Sequence, residues 1–327
     1  MLKNAKRIVI KIGSSTLVDE ASGALRQAWL DDFVADIAKL HAEKKDIIIV
    51  TSGAVALGRA QLRLQAESLA LEEKQAAAAC GQIALIASWR AAFAKHKIAA
   101  AQLLLTADDS IERRRYLNAR NTLDTLLELG AIPVINENDT VATAEIRFGD
   151  NDRLSARIAQ MSGADMLVLF SDIDGLYDAD PRVNPRAALI ETVDAITPEI
   201  EKMAGGGGSA VASGGMRTKI EAAKIATSAG CHMVIARGNI ERPISMLLQG
   251  AKHTIFTAQG SPMSARKRWI SGSVHPAGSV TIDDGAVAAL KAGKSLLPAG
   301  VVAIDGTFER GDAVLVRTKN GMVIAKG

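Results

Sequence analysis

The feature that most constrains this chain is an alternation. Short apolar segments rich in β-branched residues, at 7–12, 46–50, 99–105, 132–135, 166–170 and 232–236, end in or beside Gly, Ser, Asn or Asp. Between them, residues 27–43, 72–95, 110–128, 151–161, 217–229 and 240–248 carry helical spacing or composition. A run such as DIIIV at 46–50 has no polar alternate, so both of its faces must be covered. The expected fold is therefore α/β, a mostly parallel sheet with helices on both faces. In such sheets ligands bind beyond the carboxyl ends of the strands. The polar and glycine-rich clusters of this chain sit at those ends.

The pattern changes after about His253. Residues 258–267 are small, polar and proline-containing, which suits a linker, and beyond them short strand-like segments are punctuated by glycine. The expected organisation is a large domain over 1–257, a linker over 258–269 and a small β-rich domain over 270–327. A length of 327 residues fits one domain of about 250 residues plus a small one. A domain that large buries roughly three quarters of its unfolded surface and needs no disulfide or metal to hold it. Cys80 and Cys231 accordingly read as small buried hydrophobes, not a disulfide pair.

Hydrophobic residues make up 48% and charged residues 23%, a soluble globular balance. Net charge is +3, which demands no polyanionic partner, and 3% aromatic residues leave little for stacking on bases. The opening MLKNAKRIVIKIG lacks the apolar core of a secretory leader, and no uninterrupted apolar run approaches membrane-spanning length. A cytoplasmic location is expected.

Four clusters carry the chemistry. Lys11 closes the first strand just before Gly13-Ser14-Ser15, badly placed for a core and well placed for a phosphate. A snorkelling surface lysine is the plain alternative. Ser52-Gly53-Ala54 follows the DIIIV strand and forms either an anion-binding helix start or an ordinary N-cap. Asn136-Glu137-Asn138-Asp139 and Gly149-Asp150-Asn151-Asp152 offer carboxylates and amides to a small polar substrate bearing an ammonium group. A solvated loop accounts for any one of these residues, but two such clusters at an expected ligand-binding edge are less easily explained that way. Ser213-Gly214-Gly215-Met216-Arg217-Thr218-Lys219 reads as a helix start whose backbone donors face a phosphate, with Lys219 opposing the dipole.

Several patterns lead elsewhere. Lys291-Ala292-Gly293-Lys294-Ser295 ends like a P-loop, but Ala288 stands where its first glycine belongs. Asp172-Ile173-Asp174-Gly175 lacks the spacing of a calcium loop. His41, His96, His232, His253 and His275 show no metal-ligand spacing, and no metal-ligating residue is expected. Glu112-Arg113-Arg114-Arg115 reads as a solvated helix face.

Taken together and in order, KIGSS, VTSGAVALGRA, INENDTVATAEIRFGDND, SDIDGLYDADPR and SGGMRTKIEAA resemble the glutamate 5-kinase branch of the amino-acid kinase family. The resemblance runs from Lys11 to about Trp269, and INEND followed by GDND is its specific part. From HPAGSVTIDDGA onward the chain resembles a PUA domain, which in this family usually runs some tens of residues further, so a shortened C-terminal domain is expected. The resemblance implies an amino-acid kinase fold, phosphorylation of the γ-carboxylate of L-glutamate with ATP and Mg²⁺, feedback inhibition by proline, and a homo-oligomer (dimer or tetramer). It implies that Lys11 and Lys219 contact the transferring phosphoryl group and that Asp152 orients them. Ser52, Asp139 and Asn151, with Asn136 and Asp150 close by, would bind glutamate. Ser171, Asp172 and Ser213, Gly214, Gly215, Met216, Arg217, Thr218 and Lys219 would line the ATP site. Ser171 stands where many members have threonine and keeps the hydroxyl.

The residue inventory agrees with that chemistry. A γ-carboxylate with a reference pKa of about 4.3 is ionised at neutral pH, so it needs no general base, and no histidine stands near a motif. The difficulty is an anion attacking an anionic phosphate, which calls for positioning and positive charge. Rival readings are an acetylglutamate, aspartate or uridylate kinase, against which the INEND…GDND segment argues, and a catalytically dead relative, against which Lys11, Asp152 and Lys219 argue together. An RNA-binding PUA protein is the rival of another class. Residues 270–327 hold six Lys or Arg and five Asp or Glu, a net of +1 and a poor footprint for RNA.

Overall fold

The computed structural model describes residues 2–19, 21–66, 69–142, 151–205, 210–258, 260, 276–309 and 312–327, without the side chains of 205 and 210–214. Its framework is the alternation read from the sequence. Strand β1 (Arg7–Ile12) leads through α1 (Ser14–Leu17) to α2 (Gln27–Ala42) and β2 (Asp46–Val50). Then come α3 (Ala54–Gln61), α4 (Leu71–Ala94), β3 (Ala100–Leu105), α5 (Ala107–Ile111), α6 (Arg113–Glu128) and β4 (Ile132–Glu137). Helix α7 (Asn151–Ser162) and β5 (Met166–Ser171) precede three short strands, β6 (Leu176–Tyr177), β7 (Leu189–Ile190) and β8 (Thr192–Val193). Helices α8 (Pro198–Gly205) and α9 (Ala210–Ser228), β9 (His232–Arg237), α10 (Pro243–Leu248) and β10 (His253–Phe256) complete the large domain.

The main sheet has the order β3-β4-β2-β1-β5-β9-β10-β8. The six strands from β3 to β9 are parallel, and β10 is antiparallel to β9. Strand periodicity of two divides the apolar residues between two cores. Ile8, Ile10, Ile12, Ile47 and Ile49 pack on one face with Phe33, Leu85 and Trp89 of α2 and α4. Val9, Ile48, Val50, Ile135 and Leu169 pack on the other with Leu154, Ile158, Ala223 and Ala226 of α7 and α9. Phe33 meets Trp89 and Phe170 edge-on, with ring centroids 6.2 and 5.8 Å apart.

Helices α3 and α4 touch backbone to backbone. A Cβ on Gly58 would fall 1.7 Å from the carbonyl oxygen of Ala77, and one on Gly81 would fall 1.8 Å from that of Ala54. The short α3 is thereby held against a long partner.

The small domain is a four-stranded sheet of order β12-β11-β13-β14, from β11 (Gly278–Ile282), β12 (Val301–Gly306), β13 (Val314–Thr318) and β14 (Val323–Lys326). Val280, Ile282 and Val316 are its buried centre.

Several expectations need correction. The helix expected at 110–128 is broken at Glu112 into α5 and α6; Asp109 caps α5, its Oδ2 accepting from Thr106 N at 2.6 Å. The helix expected to begin at 217 already runs from Ala210. The β-rich reading of the small domain overlooked α11 (Asp284–Lys291), although Asp283 Oδ1 accepts from Ala286 N at 2.7 Å as an N-cap legible in DDGAVAALK. Cys231 is buried as expected, whereas Cys80 is half-buried on α4; both are free. Helix α4 is long and apolar enough, by length and composition, to cross a membrane, although its apolar residues form no uninterrupted run of that length. In the fold, Leu85, Trp89 and Phe93 turn inward while Ala76, Ala79, Ile83 and Ala87 face outward.

Candidate active site

Side chains from six elements converge beyond the carboxyl edge of the parallel strands. Lys11 shares the face of β1 that carries Val9, which α7 and α9 cover. On α7, Asp152, Ser155, Ala156 and Ala159 form the buried stripe. On α9, Lys219 continues the stripe of Ala222, Ala223 and Ala226. These three helical and strand faces bring Asp152 between two lysines. Lys11 Nζ lies 2.5 Å from Asp152 Oδ1, and Lys219 Nζ lies 3.0 Å from Asp152 Oδ2. Asp152 is wholly buried, with side-chain exposures of 6% for Lys11 and 9% for Lys219. Thr218 Oγ1 adds a hydrogen bond to Asp152 Oδ2 at 3.2 Å.

Burial by itself pushes the Asp152 carboxyl up; the Lys11 and Lys219 charges and their hydrogen bonds more than reverse this and hold it at about 2. Its place in the first turn of α7 works in the same direction. The three groups carry a net charge of +1, which suits an anionic ligand more than an empty pocket.

A second cluster is built from amides. Gly53, at φ 108°, turns the chain from β2 into α3 and leaves Ser52 at the rim. Asn151 Nδ2 donates to Thr51 O at 2.6 Å, Ser52 Oγ at 2.8 Å and Asn136 Oδ1 at 2.9 Å. Asn136 Oδ1 also accepts from Glu137 N at 2.9 Å, and Asn136 Nδ2 donates to Gln82 Oε1 of α4 at 2.8 Å. At the end of β5, Ser171 Oγ donates to Asp172 Oδ1 at 2.9 Å.

One cleft of roughly 1150 Å³ joins the two clusters, lined by Lys11, Ser52, Asn136, Asp139, Asn151 and Lys219, and also by Ser171 and Asp172. Asp150 lies outside the described residues, as do the side chains of Ser213 and Gly214. Among the described side chains of the SGGMRTK segment, Lys219 alone lines the cleft. Met216 packs against the core, and Arg217 turns outward to Glu221 at 3.4 Å. The expected helix start at Ser213 is not there. Because α9 begins at Ala210, this segment is helix interior, whose N–H groups belong to carbonyls four residues back. Two glycines weaken a helix by about 1 kcal/mol each relative to alanine, a cost offset by the packing of Ile220, Ala222, Ala223 and Ala226 in the core.

At the site, Gln82 was not singled out from the sequence, and Glu137 was named only as part of its polar cluster. Glu137 is buried and lines the cleft. It stood within the quoted INEND segment, so a signal existed. Gln82 carries no local signal, since it reaches the site only because α4 crosses the end of β4.

A match to the amino acid kinase family spans residues 6–237, and a match to the PUA domain spans 278–327. A glutamate 5-kinase of Rhodopseudomonas palustris (strain BisB18) is 59% identical over 326 residues, covering 100% of this chain and 87% of the relative. One from Nitrobacter winogradskyi is also 59% identical, covering 100% of this chain and 86% of the relative. Among solved structures, the isopentenyl phosphate kinase of T. acidophilum superposes with a TM-score of 0.52 at 16% identity, covering 76% of this chain and 99% of that one. The UMP kinase of Ureaplasma parvum gives 0.51 at 17% identity, covering 77% and 98%. These structural likenesses speak for the fold alone.

Proposed function

The chain belongs to the amino acid kinase family, among its glutamate 5-kinases, and on that premise we propose how its residues divide the work. The reaction is ATP-dependent phosphorylation of the γ-carboxylate of L-glutamate, the first step of proline biosynthesis. The observation that carries the assignment of roles is the Lys11–Asp152–Lys219 cluster at the strand edge.

The nucleophile is already an anion at neutral pH, with a reference pKa of about 4.3. No proton has to be removed, and the barrier is electrostatic and positional. Lys11 and Lys219 place two positive charges where the γ-phosphoryl group passes from nucleotide to carboxylate. Asp152 holds both ammonium groups in register from beneath and stays ionised while doing so. Ser52, Asn136, Asp139 and Asn151 hold glutamate, and Ser171 and Asp172 face the nucleotide together with Lys219 of α9.

Among the described residues no group of three or more His, Cys, Asp or Glu could hold a metal by itself. Asp152 is taken up by its lysines, so the donor set fits a Mg²⁺ carried mainly by the phosphates of ATP and by water. Bound there, it supplies further neutralisation of phosphate charge.

Proline carries the same α-carboxylate and a cationic α-nitrogen, which supports inhibition at or near the glutamate site through the region 136–150. The outward apolar stripe of α4, with Ala76, Ala79, Ile83 and Ala87, supports a homo-oligomer. No nucleic-acid or membrane partner belongs to this reading, and a cytoplasmic location accompanies it.

The test is ATP consumption by the purified chain with Mg²⁺ and hydroxylamine, which traps an acyl phosphate as hydroxamate. Glutamate, N-acetylglutamate, aspartate and uridylate are compared. Hydroxamate with glutamate alone is expected, and it should fall as proline is titrated. Preferential turnover of another acceptor would overturn the substrate assignment.

A further inference from the structure

Gln82 lies on α4, outside the motifs that compose the site, yet it closes a chain of amide hydrogen bonds that ends in the cleft. A side-chain amide nitrogen only donates and its oxygen only accepts, so each bond in such a chain fixes the direction of the next. Two backbone groups set the direction here. Glu137 N requires an acceptor and finds Asn136 Oδ1 at 2.9 Å. Thr51 O requires a donor and finds Asn151 Nδ2 at 2.6 Å. Asn136 Oδ1 and Asn151 Nδ2 then meet at 2.9 Å.

This arrangement turns Asn136 Nδ2 away from the cleft, toward α4. Asn136 is only 3% exposed, so that nitrogen needs a protein acceptor, and Gln82 Oε1 supplies it at 2.8 Å. A buried donor left without an acceptor is costly enough to rotate an amide out of place.

The consequence reaches the ligand. Asn151 lines the cleft and its Nδ2 is taken up by protein oxygens, which leaves Oδ1 as the atom it can offer a ligand. Ser52 Oγ accepts from Asn151, which leaves its own hydrogen to donate. An acceptor at Asn151 suits an ammonium group, and a donor at Ser52 suits a carboxylate. Turned over, the same amide would present hydrogens to the ammonium group.

We infer that Gln82 is a positioning residue that sets the polarity of the acceptor site through Asn136 and Asn151, so that the cleft selects a substrate carrying both an α-ammonium and an α-carboxylate group. This deepens the glutamate reading and rests on it.

The test uses the full chain as wild type, Gln82→Leu and Gln82→Glu, the last retaining an oxygen acceptor. Hydroxamate kinetics are measured with L-glutamate and with glutarate, which lacks the amino group, while ATP is varied separately. For Gln82→Leu, KM for glutamate should rise about tenfold while kcat and the KM for ATP stay within about twofold, as expected for a lost ground-state contact. The preference for glutamate over glutarate should shrink by a similar factor, and Gln82→Glu should stay near wild type. Thermal shift with each ligand is the second readout; Gln82→Leu should lose the extra stabilisation by glutamate. An unchanged KM in Gln82→Leu, an equal loss of kcat with both acceptors, or a Gln82→Glu variant as impaired as Gln82→Leu would overturn the inference. Wild type that binds glutamate without forming hydroxamate would defeat the reaction assignment, while the thermal-shift comparison would still decide the role of Gln82.

Discussion

Lys11 Nζ sits 2.5 Å from Asp152 Oδ1, joining the end of the first strand to the first turn of α7. The second oxygen of the same carboxylate takes Lys219 of α9 at 3.0 Å. One buried anion therefore determines the separation and aim of two cations, and the net positive charge it leaves is what an acyl-phosphate-forming site requires.

Lys219→Ala should lower kcat by roughly a hundredfold or more, by analogy with the loss of one electrostatic donor to a transition state. KM for glutamate should change much less, because the amide cluster does not include Lys219. Steady-state kinetics of the variant decide this, and near-normal turnover would remove Lys219 from the mechanism.

Asp152 makes stability depend on acid. Its carboxyl is held at about 2 against an ordinary 3.8, so the unfolded chain binds the proton more tightly than the folded one. The stabilisation is complete above about pH 4 and is lost as the pH falls through the folded value. Asp152→Asn should accordingly be less stable than wild type at neutral pH, with two buried ammonium groups left uncompensated. The gap should narrow as the pH drops below about 4, as read from denaturant midpoints. A gap that ignores pH would count against an ionised Asp152.

Gly81→Ala tests the seat of α3. The new Cβ would lie 1.8 Å from the backbone oxygen of Ala54 and 2.5 Å from Gly58 N, and backbone cannot swing aside as a flexible side chain would. A loss of about 3 kcal/mol or more is expected, at the upper end for overpacking. Since α3 follows Ser52 and Gly53 directly, any folded variant should also show a raised KM for glutamate. Melting temperature and KM measured together check both parts.

The cysteines should differ in reactivity. Cys231 is buried and burial pushes its thiol far up, so a thiol reagent should leave it untouched in the folded protein. Cys80, half-buried on α4, should be labelled first. Mass mapping after brief labelling distinguishes them, and early modification of Cys231 would contradict the packing.

Much of this protein could be read in one dimension. The parallel sheet with two covers follows from runs such as DIIIV and MLVLF, because residues without polar alternates leave no face for water. The cluster residues of INEND and KIGSS were legible because strand ends in such a sheet are where ligands go. Helix α11 was legible too, through its Asp283 cap, although the glycine-rich surroundings hid it.

Other features had no local signature. A glycine pair inside SGGMRTK has the look of a helix start, but the helix begins upstream, held by the packing of its apolar face in the core and not by local propensity. The antiparallel turn of β10 and the crossing of α4 over β4 depend on packing between distant elements. Local sequence determined which residues are apolar, where strands end and which polar groups stand at those ends. The tertiary structure alone decided that Asp152 would lie between Lys11 and Lys219 and that Gln82 would hold Asn136. Both follow from how helices seat on a twisted sheet, where the geometry of the whole core sets distances that no single segment encodes.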